Sequence, residues 1–319
     1  MDDLEQHSAI IKDEAKRLGF DACGIAPAII LHKEKEKLNQ WLSLGYHGTM
    51  QYMENHAEKR GDVTKLVPGT KSVIVVLLNY FTDKKQADPG APVISKYAYG
   101  KDYHKLIRKK LYSLLQIINT TIGKTAGRAF SDSAPVMDKA WAVRAGTGWM
   151  GKNSNLIVPG KGSFFFIGTL MIDRPLHYDK PITDLCGDCD RCIRACPTGA
   201  IVKPYLIDGS RCISYLTIEN KGDIPAAFRG RLKNRVFGCD ICQDVCAWNR
   251  QATPHNTKEL SPVKGLLEMS REEFYQLTEE QFNTLFSGSA VKRVGYKGFM
   301  RNLKFLKEAP WESISAAGK

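Results

Sequence analysis

The sequence predicts an α/β unit, with α+β character, followed by a ferredoxin-like unit for two iron–sulfur clusters and a short helical C-terminal segment. Three observations predict it. Apolar strands and amphipathic helices are mixed through the first 175 or so residues, as in a sheet covered by helices. Eight of the nine cysteines lie between Cys186 and Cys246. Beyond Trp248 the chain is polar and basic, with a helical pattern. The expected units are 1–178, 179–250 and 251–319, with Asp179-Lys180-Pro181-Ile182 leading into the second.

Leu4, Ile11, Ala15 and Leu18 recur at helical spacing, so an amphipathic helix opens the chain. Phe20 to Ala26 reads as a short strand, and Cys23 within it as a small buried hydrophobe. The run Val73-Ile74-Val75-Val76-Leu77-Leu78 suits a strand covered on both faces. Residues 101–122 predict a helix whose apolar stripe is Leu106, Ile107, Leu111, Leu114, Leu115 and Ile118. Lys105, Arg108, Lys109 and Lys110 fall on its solvated side. Phe164 to Ile172 is a second apolar strand. A helix is expected from Ser270 to about Leu285, followed by a glycine-punctuated basic stretch from Ser289 to Arg301.

At 319 residues the chain exceeds one typical domain. No apolar run approaches the ~20 residues a membrane helix needs. The start, Met1-Asp2-Asp3-Leu4-Glu5, is acidic and lacks an apolar signal core. The expected compartment is the cytoplasm, with no membrane partner, and there clustered cysteines serve as metal ligands or catalysts. A formal net charge of +12 points to a polyanionic partner, nucleic acid first.

The cysteine spacing narrows the metal. A structural zinc site offers two ligand pairs, because one tetrahedral ion needs four donors. Here the first run is Cys186-x2-Cys189-x2-Cys192-x3-Cys196-Pro197, the bacterial ferredoxin run, whose fourth cysteine crosses to the other cluster. Cys239-x2-Cys242-x3-Cys246 supplies three more thiolates, and Cys212, 27 positions before Cys239, supplies the last. Cys186, Cys189, Cys192 and Cys246 are therefore expected on one 4Fe–4S cluster. Cys196, Cys212, Cys239 and Cys242 are expected on the other. Two departures from a symmetric ferredoxin are the displaced Cys212 and Ala247, where a proline would follow the last cysteine.

Clusters carry electrons but transform no substrate, so the first unit must hold what receives them. Gly146-Thr147-Gly148-Trp149-Met150-Gly151 spells a dinucleotide fingerprint but follows a helical stretch, Trp141 to Ala145, instead of a strand. Glycines this dense suggest backbone close to a large planar ligand, or a tight turn.

Several stretches together resemble epoxyqueuosine reductases: "YHGTMQYM" at 46–53, "EKR" at 58–60, "YGKDYH" at 99–104, "SDSAP" at 131–135, "RAGTGWMGKNSNLI" at 144–157, "CGDCDRCIRACPTGAI" at 186–201, "RCISYLT" at 211–217 and "FGCDICQDVC" at 237–246. The resemblance runs in order over about residues 1–250 and includes the displaced Cys212. It implies a nitroreductase-like, cobalamin-binding first domain and reduction of the epoxide of epoxyqueuosine at the wobble position of tRNA. It carries the acidic proton donor onto Asp132, where a positioned carboxylic acid can protonate the opening epoxide once burial raises its pKa. An Asx-turn before Pro135 is the structural alternative for Asp132. Asp138 is the nearby competitor, at a position where the family more often has glutamate.

The resemblance also implies corrin contacts from Arg60, Asp132, Lys152, Asn153, Ser154, Leu156 and Ile167, and from Ser214, Cys239 and Asp240 on the cluster side. An anticodon stem-loop would meet Arg229, Arg231, Lys233, Arg235, Lys292, Arg293, Lys297, Arg301 and Lys304, with Lys221 in reach. Longer family members carry a C-terminal helical-repeat domain, which a chain ending at Lys319 lacks. A low-potential electron donor and a monomeric state complete the expectation. Two other readings stay open: a dehalogenase-like corrinoid reductase of a small molecule, and a non-enzymatic iron–sulfur carrier.

Overall fold

Val73 to Leu78 are 0–1% exposed because their strand, Ser72–Asn79, lies inside a four-stranded sheet. The computed structural model describes residues 3–308, so Met1, Asp2 and 309–319 lie outside it, including the first two residues of the acidic start. The strand order is Ala22–Pro27, Ser72–Asn79, Phe165–Ile172, Gly127–Phe130, antiparallel at every pairing. Both faces of the central pair are covered. Ile74, Val76 and Leu78 face a core with Ile107, Leu111, Leu114 and Ile118, while Val73, Val75 and Leu77 face one with Trp141 and Ala142. Full burial of each such side chain stabilises by about 1.5–3 kcal/mol, which explains the unbroken apolar run.

The first helix, Asp3–Arg17, buries Ile11 and Ala15 as its spacing predicts, whereas Leu4 in its first turn is exposed and Leu18 beyond its end is half-buried. The helix Tyr103–Thr121 begins at Asp102, whose side chain caps it by accepting from the His104 amide. Its stripe is buried at Ile107, Leu111, Leu114 and Ile118, with Leu106 and Leu115 half-buried at the margin. The short helix Asp138–Arg144 packs on the opposite side of the sheet through Trp141 and Ala142.

The expected helix from Ser270 to Leu285 is two helices, Arg271–Tyr275 and Glu279–Leu285. Ser270 with Glu273 and Thr278 with Gln281 each form a complete capping box, so the second signal restarts the chain instead of continuing it. The glycine-punctuated stretch is also more regular than expected. A 3-10 turn, Ala290–Arg293, leads into a helix, Gly295–Glu308, that buries Phe299, Asn302, Leu303, Phe305 and Leu306. Gly295, at φ +67°, sits at the start of that helix, where its left-handed backbone turns the chain without breaking it.

The cores do not divide at 178 or 250. One core joins Ala91, Ile94 and Tyr99 to Ile213, Leu216, Val236 and Phe237, and to Phe274, Phe282, Phe299 and Leu303. Arg235–Phe237 pairs in parallel with Val93–Ile94. Asn302, fully buried, donates to Thr217 O at 2.8 Å and Val236 O at 2.9 Å. The cysteine-rich unit is thereby gripped from both sides. Among the described residues no helix is long and apolar enough to cross a membrane.

Candidate active site

Short helical turns present the thiols. Cys192 lies in the helix Arg191–Ala195 and Cys242 in Ile241–Asp244. Cys212 follows the 3-10 turn Gly209–Arg211, which Asp208 caps, and precedes a π-helical turn, Tyr215–Glu219. All eight are free thiols, seven of them half-buried and Cys189 exposed. Their mutual electrostatics fall into two groups. Cys192 feels Cys246 and Cys186, and Cys246 feels Cys186 and Cys189. Cys212 feels Cys196, Cys239 feels Cys212, and Cys242 feels Cys239 and Cys212. Cys242 also feels Cys192 of the first run.

Among the described residues no group of three or more His, Cys, Asp or Glu side chains is placed to hold a single metal ion. Burial pushes the Cys239 thiol up to about 12 and raises Cys212 and Cys242 as well; as bare thiols these groups are far from ready to ionise. Amides of Ser214 and Tyr215 point at Cys212, of Ile241 at Cys239, and of Trp248 and Asn249 at Cys246. Such N–H donors to sulfur hold and tune iron–sulfur clusters, so the residues fit the group.

The glycine loop touches both cysteine runs. Trp149–Met150 and Leu156–Ile157 form a two-stranded hairpin. A Cβ on Gly146 would meet Lys180 O at 2.6 Å, and one on Gly148 would meet Ile157 O at 2.2 Å. At these two positions the glycines admit the protein's own backbone, so the tight-turn reading holds there. The residues in the turn of the hairpin reach both cysteine runs. Lys152 Nζ donates to Gly187 O at 2.5 Å, Asn153 Nδ2 to Cys242 O at 3.3 Å, and Asn155 Nδ2 to Cys242 Sγ at 3.8 Å. Ser154, at φ +56°, offers its carbonyl to Lys139 Nζ at 2.8 Å.

Asp132 faces this region from the sheet side. It sits at φ +56° in the loop after the Gly127–Phe130 strand, a left-handed backbone costly for a side-chain-bearing residue. Tyr103 Oη donates to its Oδ2 at 2.6 Å, and His104 Nε2 lies 3.5 Å from the same oxygen. Its carboxylate thus engages another element instead of an Asx-turn. The side chain is 67% exposed. The expected upward pKa shift is absent: the hydrogen bond from His104, and then Tyr103, hold Asp132 below the usual carboxylate range. The raised carboxyl is Asp138, pushed up to about 7 by burial and by the charge of Asp132, and bonded by Thr169 Oγ1 at 3.0 Å.

The remaining expected corrin contacts separate. Arg60 is 8% exposed, donates to Tyr52 O at 2.7 Å and leaves its Nε without a partner. A buried guanidinium so placed is suited to a ligand's polar edge. Ile167 is tied to the Asp132 loop, its carbonyl accepting from Ser131 Oγ at 3.4 Å. Leu156 turns its side chain into the Trp141 core, leaving only backbone for a ligand. Asp240, 2% exposed, spends its carboxylate on Ser95 Oγ and the Lys96 amide. Ser214 bonds the Cys212 sulfur.

Sequence reasoning missed Tyr103, His104 and Lys139. The charges of Cys242, Cys212, Asp132 and Asp138 all act on Lys139, so it stands between the thiols and the acid. "YGKDYH" flags the first two by resemblance, without a role. Several basic candidates are engaged within the chain: Arg301 with the carbonyls of Asn220, Gly222 and Leu216, Arg293 with Glu219, Arg229 with Glu308, and Arg235 with Asp244. Arg231, Lys221, Lys292, Lys297 and Lys304 are exposed. Arg293 also sends its charge to Asp132 and Tyr52, so the C-terminal segment borders the site.

Comparison with known proteins agrees with this geometry. The family described as "Epoxyqueuosine reductase QueG, DUF1730" matches residues 60–133, a span that begins at Arg60 and takes in Asp132. A 4Fe–4S double cluster binding domain matches residues 185–249, which hold all eight thiols. An epoxyqueuosine reductase of Cellulophaga algicola is 52% identical over 307 residues, covering 96% of this chain and 100% of that one. The chain belongs to the epoxyqueuosine reductase family. A crystal structure of an epoxyqueuosine reductase with an epoxyqueuosine-modified tRNA-Tyr stem loop is similar at a TM-score of 0.87 and 30% identity, covering 94% of this chain and 80% of that one. A Bacillus subtilis family member, also at TM-score 0.87 and 30% identity over 94% of this chain and 80% of that one, is described with a catalytic aspartate loop swung out of the active site. A catabolic reductive dehalogenase matches at TM-score 0.51 and 16% identity, over 96% of this chain and 37% of that one, a likeness of fold alone.

Proposed function

We propose that this chain is an epoxyqueuosine reductase that removes the epoxide oxygen of epoxyqueuosine in tRNA, leaving the alkene of queuosine and water. Identity of 52% to a reductase whose whole length the chain covers carries this reading. The cofactors are two 4Fe–4S clusters and cobalamin, and cobalamin, when bound, supplies low-potential reduction at the epoxide carbon. Cys186, Cys189, Cys192 and Cys246 would hold the outer cluster. Cys196, Cys212, Cys239 and Cys242 would hold the inner one, beside Asn155 and Lys139.

Arg60, Lys152, Asn153, Ser154, Ile167 and Ser214 would hold the corrin edges by side chain or backbone. Asp132, whose side chain is exposed, donates protons to the opening epoxide. The exposed lysines and arginines of the C-terminal segment and the 221–235 loop would neutralise phosphates of the anticodon stem-loop. Electrons come from a low-potential donor, in the cytoplasm, to a monomer.

The reading is tested by reconstituting both clusters and cobalamin anaerobically, adding epoxyqueuosine-bearing tRNA and a strong reductant, and digesting the tRNA for mass spectrometry. Conversion to queuosine is expected, and Asp132→Asn should retain both cofactors while turnover drops about 100-fold or more. Wild-type protein that leaves epoxyqueuosine intact, or an active Asp132→Asn, would contradict the reading or the assigned donor respectively.

A further inference from the structure

The proposed reaction requires more protons than Asp132 carries. Turning an epoxide into an alkene breaks two C–O bonds and forms one π bond; two electrons and two protons enter, and water leaves. The electrons would come from the clusters that the eight cysteines hold. Both protons end on one oxygen, while a single carboxyl gives one, and here that carboxyl rests ionised.

His104 is placed to supply them. Its Nδ1 lies 2.5 Å from Asp102 Oδ1 and its Nε2 lies 3.5 Å from Asp132 Oδ2. A neutral imidazole has one N–H, so only the doubly protonated ring donates to both carboxylates. The Tyr103 ring lies between the rings of His104, at 4.1 Å, and Phe166, at 3.9 Å, while its hydroxyl donates to Asp132 Oδ2. Asp102 is held by its cap on the His104 amide at 3.0 Å and is 34% exposed, so one end of the chain of groups reaches water.

We propose that Asp102, His104 and Asp132 form a proton relay that loads Asp132 before each of the two protonations of the epoxide oxygen. This rests on the reductase reading. His104 Nε2–H first passes a proton to the ionised Asp132 Oδ2, Asp132 protonates the oxygen as the first C–O bond opens, and the ring is reprotonated from water beside Asp102. His104 Nε2–H then passes its proton to Asp132 Oδ2, and the ring regains one from water beside Asp102. Asp132 protonates the same oxygen again as the second C–O bond breaks and water departs. His104 acts through Asp132, so it is a positioning residue that also stores the proton. The groups facing the relay are Asp102 and Asp132 on the ring, with Arg293, Lys139, Asp138, Tyr52 and Tyr97 around Asp132. The two carboxylates outweigh burial and raise His104 to about 9.

The test uses holoenzyme with epoxyqueuosine-tRNA and compares wild type, His104→Gln and Asp102→Ser, the serine keeping a helix cap while removing the charge. Single-turnover rates are followed from pH 6 to 10, and the His104 ring is titrated by 15N-histidine NMR. The expected wild-type rate falls above about pH 9. His104→Gln should lose that fall and be about 100-fold slower, with unchanged cobalamin spectrum and stem-loop affinity. Asp102→Ser should move both the fall and the NMR titration to lower pH. A wild type that turns over while His104→Gln keeps its rate and pH profile overturns the relay but leaves the reductase intact. An inactive wild type overturns the reductase reading, and a His104 ring then found neutral at pH 8 overturns the relay as well.

Discussion

Asp240 Oδ2 accepts the Lys96 backbone N–H at 2.8 Å and lies 3.8 Å from Lys96 Nζ, while its other oxygen takes the Ser95 hydroxyl. Asp240 sits between Cys239 and Cys242, so this contact locks the second cysteine run to a loop of the first unit. Asp240→Ala strands the buried Ser95 hydroxyl, at about 1–3 kcal/mol, and the part-buried Lys96 amide, at less. The expected result is a lower melting temperature and loss of iron from the inner cluster, checked by thermal unfolding and iron analysis. Asp240→Asn, which keeps an acceptor, should lose less.

The two ligand sets predict a simple metal count. Cys212→Ala should retain about half of the iron and acid-labile sulfide of wild type, because the outer cluster keeps its four thiolates. Electron paramagnetic resonance of the reduced variant should show one cluster without the interaction between two. Zinc, or full iron content, in this variant would contradict the assignment.

Asp138 gives a pH signature of stability. Its carboxyl titrates near 3.8 when unfolded and at about 7 when folded. Between these values the folded chain binds the extra proton, so stability falls as pH rises through that window and is level above it. Asp138→Asn removes this dependence. Its melting temperature should match wild type near pH 4 and exceed it by several degrees at pH 8, measured by thermal scans on the same apo preparation.

Basic side chains divide by whether the fold already uses them. Lys297 and Arg231 are exposed, so replacing either with alanine should weaken stem-loop binding. The slope of log affinity against log salt should shrink by roughly 0.7–0.9 for each phosphate that is no longer neutralised. Arg301→Ala should act differently. It deletes donors to the Asn220, Gly222 and Leu216 carbonyls and should lower stability first. Binding isotherms at several salt concentrations, beside melting curves, separate the two classes.

The sequence by itself determined the local features. A cubane draws three thiolates from one short loop, so Cys186, Cys189 and Cys192 announce it by spacing alone. The apolar runs at 73–78 and 164–172 likewise report burial on both faces, and the stripe at 106–118 reports one buried helix face. Asp132 and Arg60 were legible only through resemblance, because a lone charged residue has no periodic signature. The rest was decided by the tertiary structure. The C-terminal helix shares a core with the cysteine-rich unit, and its Asn302 bonds residues more than sixty positions away. Which of two aspartates is acidic and which is proton-holding depends on neighbours from other elements: His104 and Tyr103 for Asp132, burial and the Asp132 charge for Asp138. Periodicity and spacing are properties of neighbouring residues along a chain, whereas a pKa is set by whatever the fold brings within a few ångströms.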